Sequence, residues 1–288
     1  MSILVDKNTR VLVQGITGKI GRTQTDYMLK EGTKIVAGVT PGKGGIEISG
    51  IPVFDTVKEA ITQCQIDLSV LFVPARVAKD SVIEAIDAGI KMVVLITEHT
   101  PVHDEMIIKA YAEKRGALLI GPTTPGIIVP GQCKIGILPV NMFCPGEVGI
   151  ISRSGTLAYE VAANLCSDGI GQSTVVGMGA DMVAGTNLVE ILKLFNEDDE
   201  TKAVVLIGEV GGSQEEEAAD FIKKEMRKPV IAYIAGASAP PGKRMGHAGA
   251  IIEGGKGSAK SKIDSLQLAG VKVAKMLDEI PLMLKGGK

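Results

Sequence analysis

The chain has only three histidines, and His247 lies in an unusual setting, "GKRMGHAGAIIEGGKG", with Gly246, Ala248, Gly249 and Ala250 around it. Neighbours this small give an imidazole no packing role and leave its ring accessible on a loop. No second His or Cys stands at ligand spacing, so a metal site is not expected. A ring that acts as a nucleophile needs an orienting acid on its other nitrogen. "VVLIGEVGGS" supplies Glu209, at the end of an apolar run and before two glycines. A neutral imidazole can attack phosphorus and carry the phosphoryl group as phosphohistidine. The stretch "SRSGTLAYE" (152–160) then has a purpose. Ser154, Gly155 and Thr156 open a helix whose N–H groups and positive dipole end can hold a phosphoryl group, with no side-chain cation required.

A second group of candidates lies near the N-terminus. "VLVQGITGKIGRTQ" places Gly15, Gly18 and Gly21 three residues apart after an apolar run, which lets backbone approach a pyrophosphate. The spacing departs from the G-x-G-x-x-G fingerprint, and the acid that would hold a ribose diol about 20 residues on is missing. The next run enters "AGVTPGKGG", where Lys43 stands among glycines. A cation there suits a ribose that bears a phosphate. NADP and coenzyme A both fit, and NAD does not. Val73 and Pro74 in "LFVPARVAKDS", and Ile96, Thr97 and Glu98 in "VLITEHTP", end two further runs and would suit an adenine or pantetheine arm.

These loops need a scaffold that brings strand ends together. "RVLVQG", "KIVAGVT", "DLSVLFVP", "KMVVLIT" and "ALLIG", then "VGIIS", "STVVGMG", "KAVVLIG" and "PVIAYIA", are short, continuous and rich in β-branched residues. Such runs mark strands buried on both faces of a parallel sheet. Between them, "TVKEAITQC", "SVIEAIDAG", "DEMIIKAYAEKRG", "LVEILKLFN" and "EEEAADFIKKEM" carry apolar residues at helical spacing. The alternation predicts a doubly wound α/β fold whose ligands collect beyond the carboxyl ends of the strands. The Pro/Gly-rich residues 123–146 read as a linker between domains at 1–122 and 147–288. The two halves do not read as a repeat.

Composition narrows the function classes. Of 288 residues 45% are hydrophobic, and the formal net charge of −2 lacks the basic excess of a nucleic-acid surface. No apolar run reaches the 18 residues or so of a membrane span, and "MSILVDKNTR" lacks a signal-peptide core. A cytoplasmic location is expected. Cys64, Cys133, Cys144 and Cys166 form no C-x-x-C pair and are expected as free thiols.

Taken together, "GITGKIG", "GVTPGKGG", "ITE", "SRSGTLAYE", "GEVGGSQEEEAADF" and "GKRMGHAGAII" closely resemble the α subunit of succinyl-CoA synthetases, along nearly the whole chain. The resemblance implies a Rossmann-like CoA-binding domain followed by a flavodoxin-like ligase domain. It implies CoA binding at Thr17, Gly18, Lys19, Ile20, Lys43, Ile96, Thr97 and Glu98. It makes His247 the phosphorylated residue, Glu209 its partner and Tyr159 a substrate contact. It further implies an ATP-grasp β subunit, in an αβ or α2β2 assembly, that binds ATP or GTP with Mg. This chain agrees in lacking a P-loop: "GAIIEGGKGS" fails in spacing and has Gly257 where Ser or Thr is needed. The chain departs from the family pattern at "GPTTPG" (usually GPNCPG), at "ITEHTP" (usually ITEGIP), at "GADM" (usually GGDP), and at "VNMFCPG", which lacks the usual histidine. These changes leave open another acid, such as malate, citrate or a sulfonated acid. A non-catalytic CoA-binding regulator and an NADP oxidoreductase are the readings from other classes.

Overall fold

The computed structural model describes residues 2–240, 246–252 and 257–286. Residues 242–245 of the "GKRMGH" motif and 253–256 of the glycine-rich stretch after it lie outside the described residues. The chain divides into two compact units. One is Val5–Leu138 with Val183–Gly185; the other is Met1–Leu4, Pro139–Met182 and Thr186–Lys288.

In the first unit the apolar runs become β1 (Arg10–Gln14), β2 (Lys34–Val39), β3 (Glu47–Ile48), β4 (Ile51–Phe54), β5 (Leu68–Leu71), β6 (Met92–Leu95) and β7 (Leu118–Ile120). They form one sheet in the order β3-β4-β2-β1-β5-β6-β7, with β3 antiparallel at the edge and the other pairings parallel. Without β3 this is the Rossmann order, whose switch point lies at the carboxyl ends of β1 and β5. Four helices cover the sheet: α1 (Lys19–Lys30), α2 (Val57–Gln63), α3 (Ala75–Asp87) and α4 (Val102–Arg115). Every residue of β5 and β6 is buried, as their unbroken apolar sequences require.

The stretch read as a linker is structured. It holds a β-hairpin, β8 (Gly126–Val129) with β9 (Cys133–Gly136), and a single 3-10 turn at Val140–Met142. The hairpin is grouped with the first unit, and its Ile127, Ile128, Val129 and Ile135 are all buried. Thr33 fastens it: its hydroxyl donates to the Lys134 carbonyl at 2.7 Å and accepts from the Lys134 N–H at 3.0 Å.

The second unit contains β10 (Pro145–Ser152), β11 (Gln172–Gly177), β12 (Ala203–Glu209), β13 (Val230–Ala235) and β14 (Lys272–Ala274). These strands run parallel in the order β14-β13-β12-β10-β11, which in chain order is 2-1-3-4-5, the flavodoxin-like arrangement. Its switch point lies between β10 and β12, whose last residues are Ser152 and Glu209. The helices are α5 (Gly155–Ser167), α6 (Leu188–Glu197), α7 (Gln214–Glu225), α8 (Ala259–Leu268) and α9 (Glu279–Leu284). The fully buried Phe195 of α6 packs on Gly149 of β10, where a Cβ would stand 2.5 Å from the ring.

The cysteines correct one expectation. Cys144 and Cys166 form a disulfide, with Cα atoms 5.9 Å apart; Cys64 and Cys133 are free. The pairing is a product of the fold. Cys144 directly precedes β10, and Cys166 lies in the last turn of α5, the helix that returns antiparallel beside that strand. Burial pushes the Cys133 thiol up to about 12, so at neutral pH it carries almost no thiolate. Denatured without reductant, the chain should therefore titrate two thiols, rising to four after reduction; four in both conditions would contradict the pairing. In the folded chain, Cys64 should alkylate well before Cys133.

Candidate active site

The carboxyl edge of the first unit's sheet gathers the proposed coenzyme loops. The Gly15 N–H donates to the Val39 carbonyl (2.8 Å), and the Thr17 and Thr40 hydroxyls lie 3.2 Å apart. The Thr97 hydroxyl donates to the Val73 carbonyl (2.7 Å), and the Thr123 N–H donates to the Thr97 carbonyl (3.1 Å). The ends of β1, β2, β5, β6 and β7 are thus tied into one surface. Gly21 must be glycine, because a Cβ there would meet the Gly15 carbonyl oxygen at 2.2 Å. That close approach sets α1 directly against the turn after β1. Gly18, Lys19, Ile20, Lys43, Pro74 and Glu98 are exposed, Thr17, Val73 and Thr97 half-buried, and Ile96 buried. Ile20, 64% exposed on α1, offers an apolar face at this edge.

Charge placement marks which helix ends are open to anions. The first turns of α1, α3 and α5 contain no acid, and neither does that of α8, whereas α2, α4, α6 and α7 all carry Asp or Glu there. In the second group, side-chain charge already answers the positive dipole end. In α1 and α3 no side chain caps the end at all. Their N–H groups face the ligand edge.

The loops carrying the family departures show backbone strain. His99 has φ 62° and Thr123 has φ 55°, in the left-handed region that Gly or Asn enters more readily. The positions where the family pattern places Gly and Asn are those where the chain adopts this conformation.

In the second unit, β10 ends at Ser152 and α5 begins at Gly155, with Ser154 as its N-cap. The Ser154 hydroxyl accepts from the Leu157 N–H at 3.3 Å, and the Ser152 hydroxyl accepts from the Ser154 N–H at 3.1 Å. Thr156 is exposed and Tyr159 half-buried, one turn further along α5. On the neighbouring strand Glu209 is buried, and its Oε2 accepts from Nδ1 of His247 at 2.7 Å. The His247 side chain is 38% exposed, against 8% for Glu209. With Nδ1 donating inward, Nε2 keeps its lone pair for chemistry.

The loop that carries His247 is held from behind. The Gly249 N–H donates to the Ala180 carbonyl at 3.0 Å. Gly211, at φ 92°, would place a Cβ 2.0 Å from the Gly249 carbonyl oxygen, so only glycine permits this approach. Sequence reasoning missed the cation next to the pair. Arg153, itself buried, places Nη2 at 3.4 Å from Glu209 Oε1, a buried oxygen with no hydrogen bond among the described residues. Its Nη1 donates to the Gly211 carbonyl (2.9 Å), to Glu215 (3.1 Å) and to the Glu209 carbonyl (3.4 Å). The expected site of backbone amides alone therefore has a guanidinium beside its acid. The signal was in the quoted loop, where Arg153 separates two serines.

These groups set the ring's proton affinity. The Glu209 hydrogen bond raises the imidazole above its ordinary value, against burial, which lowers it; the Glu209 charge also raises it, Arg153 lowers it and Asp181 raises it. Among the described residues no group of three or more His, Cys, Asp or Glu is placed to hold a metal ion. No helix among them is long and apolar enough to cross a membrane.

Residues 6–99 match the CoA binding domain family, and residues 151–272 match the CoA-ligase family. Those two domains in this order define a chain of the CoA-ligase class. It is 60% identical over 280 residues to α subunit 2 of an ADP-forming succinate–CoA ligase of Archaeoglobus fulgidus, covering 97% of each chain. It is 56% identical over 280 residues to the α subunit of the Staphylococcus aureus enzyme of that name, covering 97% of this chain and 93% of that one. The chain belongs to the family of ADP-forming succinate–CoA ligase α subunits. Among solved structures, a mutant ATP citrate lyase of Methanosaeta concilii in complex with (3S)-citryl-CoA matches with a TM-score of 0.90 at 26% identity. The match covers 99% of this chain, which spans only 50% of that one.

The His247 imidazole should titrate above the ordinary histidine value, and Glu209→Gln should bring it down, because the largest upward influence is then gone. Ring-resonance titration by NMR reads this directly; a ring unmoved by Glu209→Gln would contradict the assigned coupling.

Proposed function

We propose that this chain is the α subunit of a nucleoside-diphosphate-forming acid–CoA ligase that converts succinate, CoA and ATP or GTP to succinyl-CoA, ADP or GDP, and phosphate. The observation that carries the reading is the half-exposed His247 ring with its inner nitrogen 2.7 Å from the buried Glu209. The 60% identity to a chain named for this reaction supports it.

The chemistry runs in three transfers. Nε2 of His247 attacks the terminal phosphorus of the nucleoside triphosphate, and the diphosphate leaves. The ring, still protonated at Nδ1, becomes a cationic phosphoimidazole, which the Glu209 carboxylate stabilises. Gly155 and Thr156 offer the phosphoryl oxygens the N-terminal amides of α5 and Ser154 its hydroxyl, at an end that carries no competing acid. A substrate carboxylate oxygen then attacks phosphorus, the P–N bond breaks, and the ring returns to neutral. Finally the CoA sulfur attacks the acyl phosphate carbon and inorganic phosphate departs. Thr17, Gly18, Lys19, Ile20, Lys43, Val73, Pro74, Ile96, Thr97 and Glu98 hold CoA, and Tyr159 contacts the acid. The nucleotide and its Mg belong to an ATP-grasp β subunit, in an αβ or α2β2 assembly.

The strained His99 and Thr123 backbones, in loops that depart from the family pattern, favour testing a second reading: the same relay on malate, citrate or a sulfonated acid. Co-expressed with its β partner, the chain should take label from γ-labelled ATP, and His247→Ala should take none; wild-type labelling of that variant would sink the proposal. Glu209→Gln should slow labelling by roughly 10²-fold or more and leave CoA affinity alone. In an acid panel read by CoA-dependent release of ADP, succinate should give the highest kcat/KM. Lys43→Met should weaken CoA by roughly tenfold, the worth of one charge-assisted hydrogen bond. Binding of NADP without CoA would move the assignment to an oxidoreductase.

A further inference from the structure

Behind Glu209 lies an ion pair that the phosphoryl transfers do not use. Glu215 in the first turn of α7 and Lys262 in α8 have completely buried side chains and are paired through Glu215 Oε2. Lys262 Nζ also donates to the Gly211 carbonyl at 2.6 Å, the same oxygen that accepts from Arg153 at 2.9 Å. The other oxygen of Glu215 accepts twice at 3.1 Å, from Arg153 Nη1 and from the backbone N–H of Glu209. One carboxylate therefore holds both the main chain of Glu209 and the cation that faces its side chain.

Stability alone does not account for this arrangement. Two fully buried charges lose much of their mutual attraction to desolvation, and an apolar pair of similar volume is often as stable. What an apolar pair could not do is divide a guanidinium between two acids. Arg153 makes a hydrogen bond to Glu215, but it approaches Glu209 Oε1 at 3.4 Å without one.

We propose that Glu215 and Lys262 are a positioning pair that sets how strongly Arg153 bears on Glu209, and through it the proton affinity of His247. Among the described residues, the groups facing the ring are Glu209 from β12, Arg153 from the β10–α5 turn and Asp181 after β11, with Glu215 and Lys262 one layer further in. Without Lys262, the unbalanced Glu215 draws Arg153 inward, Glu209 keeps more of its charge for the ring, and the ring holds its proton more tightly. Without the Glu215 charge, Arg153 turns wholly to Glu209 and the ring's affinity falls. The direct fields of the two charges act on the ring in the same opposite senses, so the charge-neutral removal of both, in which those fields cancel and only the Arg153 contact changes, isolates the positioning role.

The test is an NMR titration of the histidine rings in the full-length chain, with His247 assigned by its loss in His247→Gln. The midpoint should rise in Lys262→Met and fall in Glu215→Gln, each by roughly half a pH unit or more, and Lys262→Arg should restore the wild-type value. In complex with the β partner, the acid limb of phosphoenzyme formation should move in the same order. Shifts of one sign in both folded variants, or no shift, overturn the proposal. The Glu215→Gln/Lys262→Met double variant is read in every case, because it leaves the net charge behind the site unchanged, and it decides alone should a single variant not fold. It should titrate lower than wild type, since Arg153 then faces Glu209 alone; an unmoved midpoint overturns the proposal equally. The mechanism rests on the phosphohistidine reading only for its kinetic arm. A wild-type chain that never takes label defeats that reading and leaves the titration decisive.

Discussion

The second unit depends on one carboxylate shared between an imidazole and a guanidinium. Glu209 is almost fully buried, and an isolated charge there would cost several kcal/mol in lost hydration. Its two oxygens have different neighbours: Oε2 takes the His247 proton, and Oε1 lies near Arg153 without a hydrogen bond. Opposite charges about 4 Å apart are worth about 4 kcal/mol at an effective dielectric of 20, so either neighbour could dominate the carboxylate. Held by His247 alone, Glu209 would keep the ring protonated and without a lone pair. Held by Arg153 alone, it would leave a ring poorly able to bear the positive charge that follows attack on phosphorus. The reversible relay proposed for this site needs the division between them.

That division is a consequence of strand adjacency. β10 and β12 are neighbours, paired from Val148 with Ala203 to Ser152 with Ile207, so they end side by side at the topological switch point. Arg153 leaves one strand as Glu209 leaves the other, and the Arg153 N–H donates to the Ile207 carbonyl at 3.1 Å, continuing the ladder past the strand end. The guanidinium needs no long reach to meet its acid. The first unit applies the same geometry to a different ligand chemistry. There the switch point lies between β1 and β5, and acid-free helix ends with glycine turns take the place of the ion network.

The elements most legible in the sequence were those buried on both faces. "MVVL" and "AVVLIGE" announce β6 and β12 because helices on either side leave no face for polar residues. The hairpin at 126–136 was hidden because prolines and glycines surround two short runs, and the Thr33 hydroxyl that pins its Lys134 backbone comes from about a hundred positions earlier. The acid–histidine pair was readable because glycines flank both residues and leave them no packing role. The charges behind that pair were not. Lys262 in "AKSKIDSLQL" looks like a solvent-facing lysine, and Glu215 looks like one of three acids dressing a helix start. Only the fold buries Lys262 and Glu215 together while leaving Glu217 exposed. The disulfide was unreadable for the same reason, since 22 residues separate cysteines that meet only through a strand and its returning helix.

The contrast in exposure between His247 and Glu209 matches what the proposed relay asks of each. In the proposed relay a carrier of phosphoryl groups has to present Nε2 in turn to a triphosphate and to a carboxylate, so its ring cannot be enclosed; 38% of the His247 side chain stays open. The acid that tunes it gains from the reverse condition, because its grip on Nδ1 strengthens as water is removed. The structure separates the two demands within a few ångströms by placing the acid at the end of a buried strand and the ring on a loop of small residues. Gly211 admits the Gly249 carbonyl against the strand end, and Gly246, at φ 85°, turns the chain into the ring. The small residues that first drew notice to His247 therefore let an open ring stand against a closed acid.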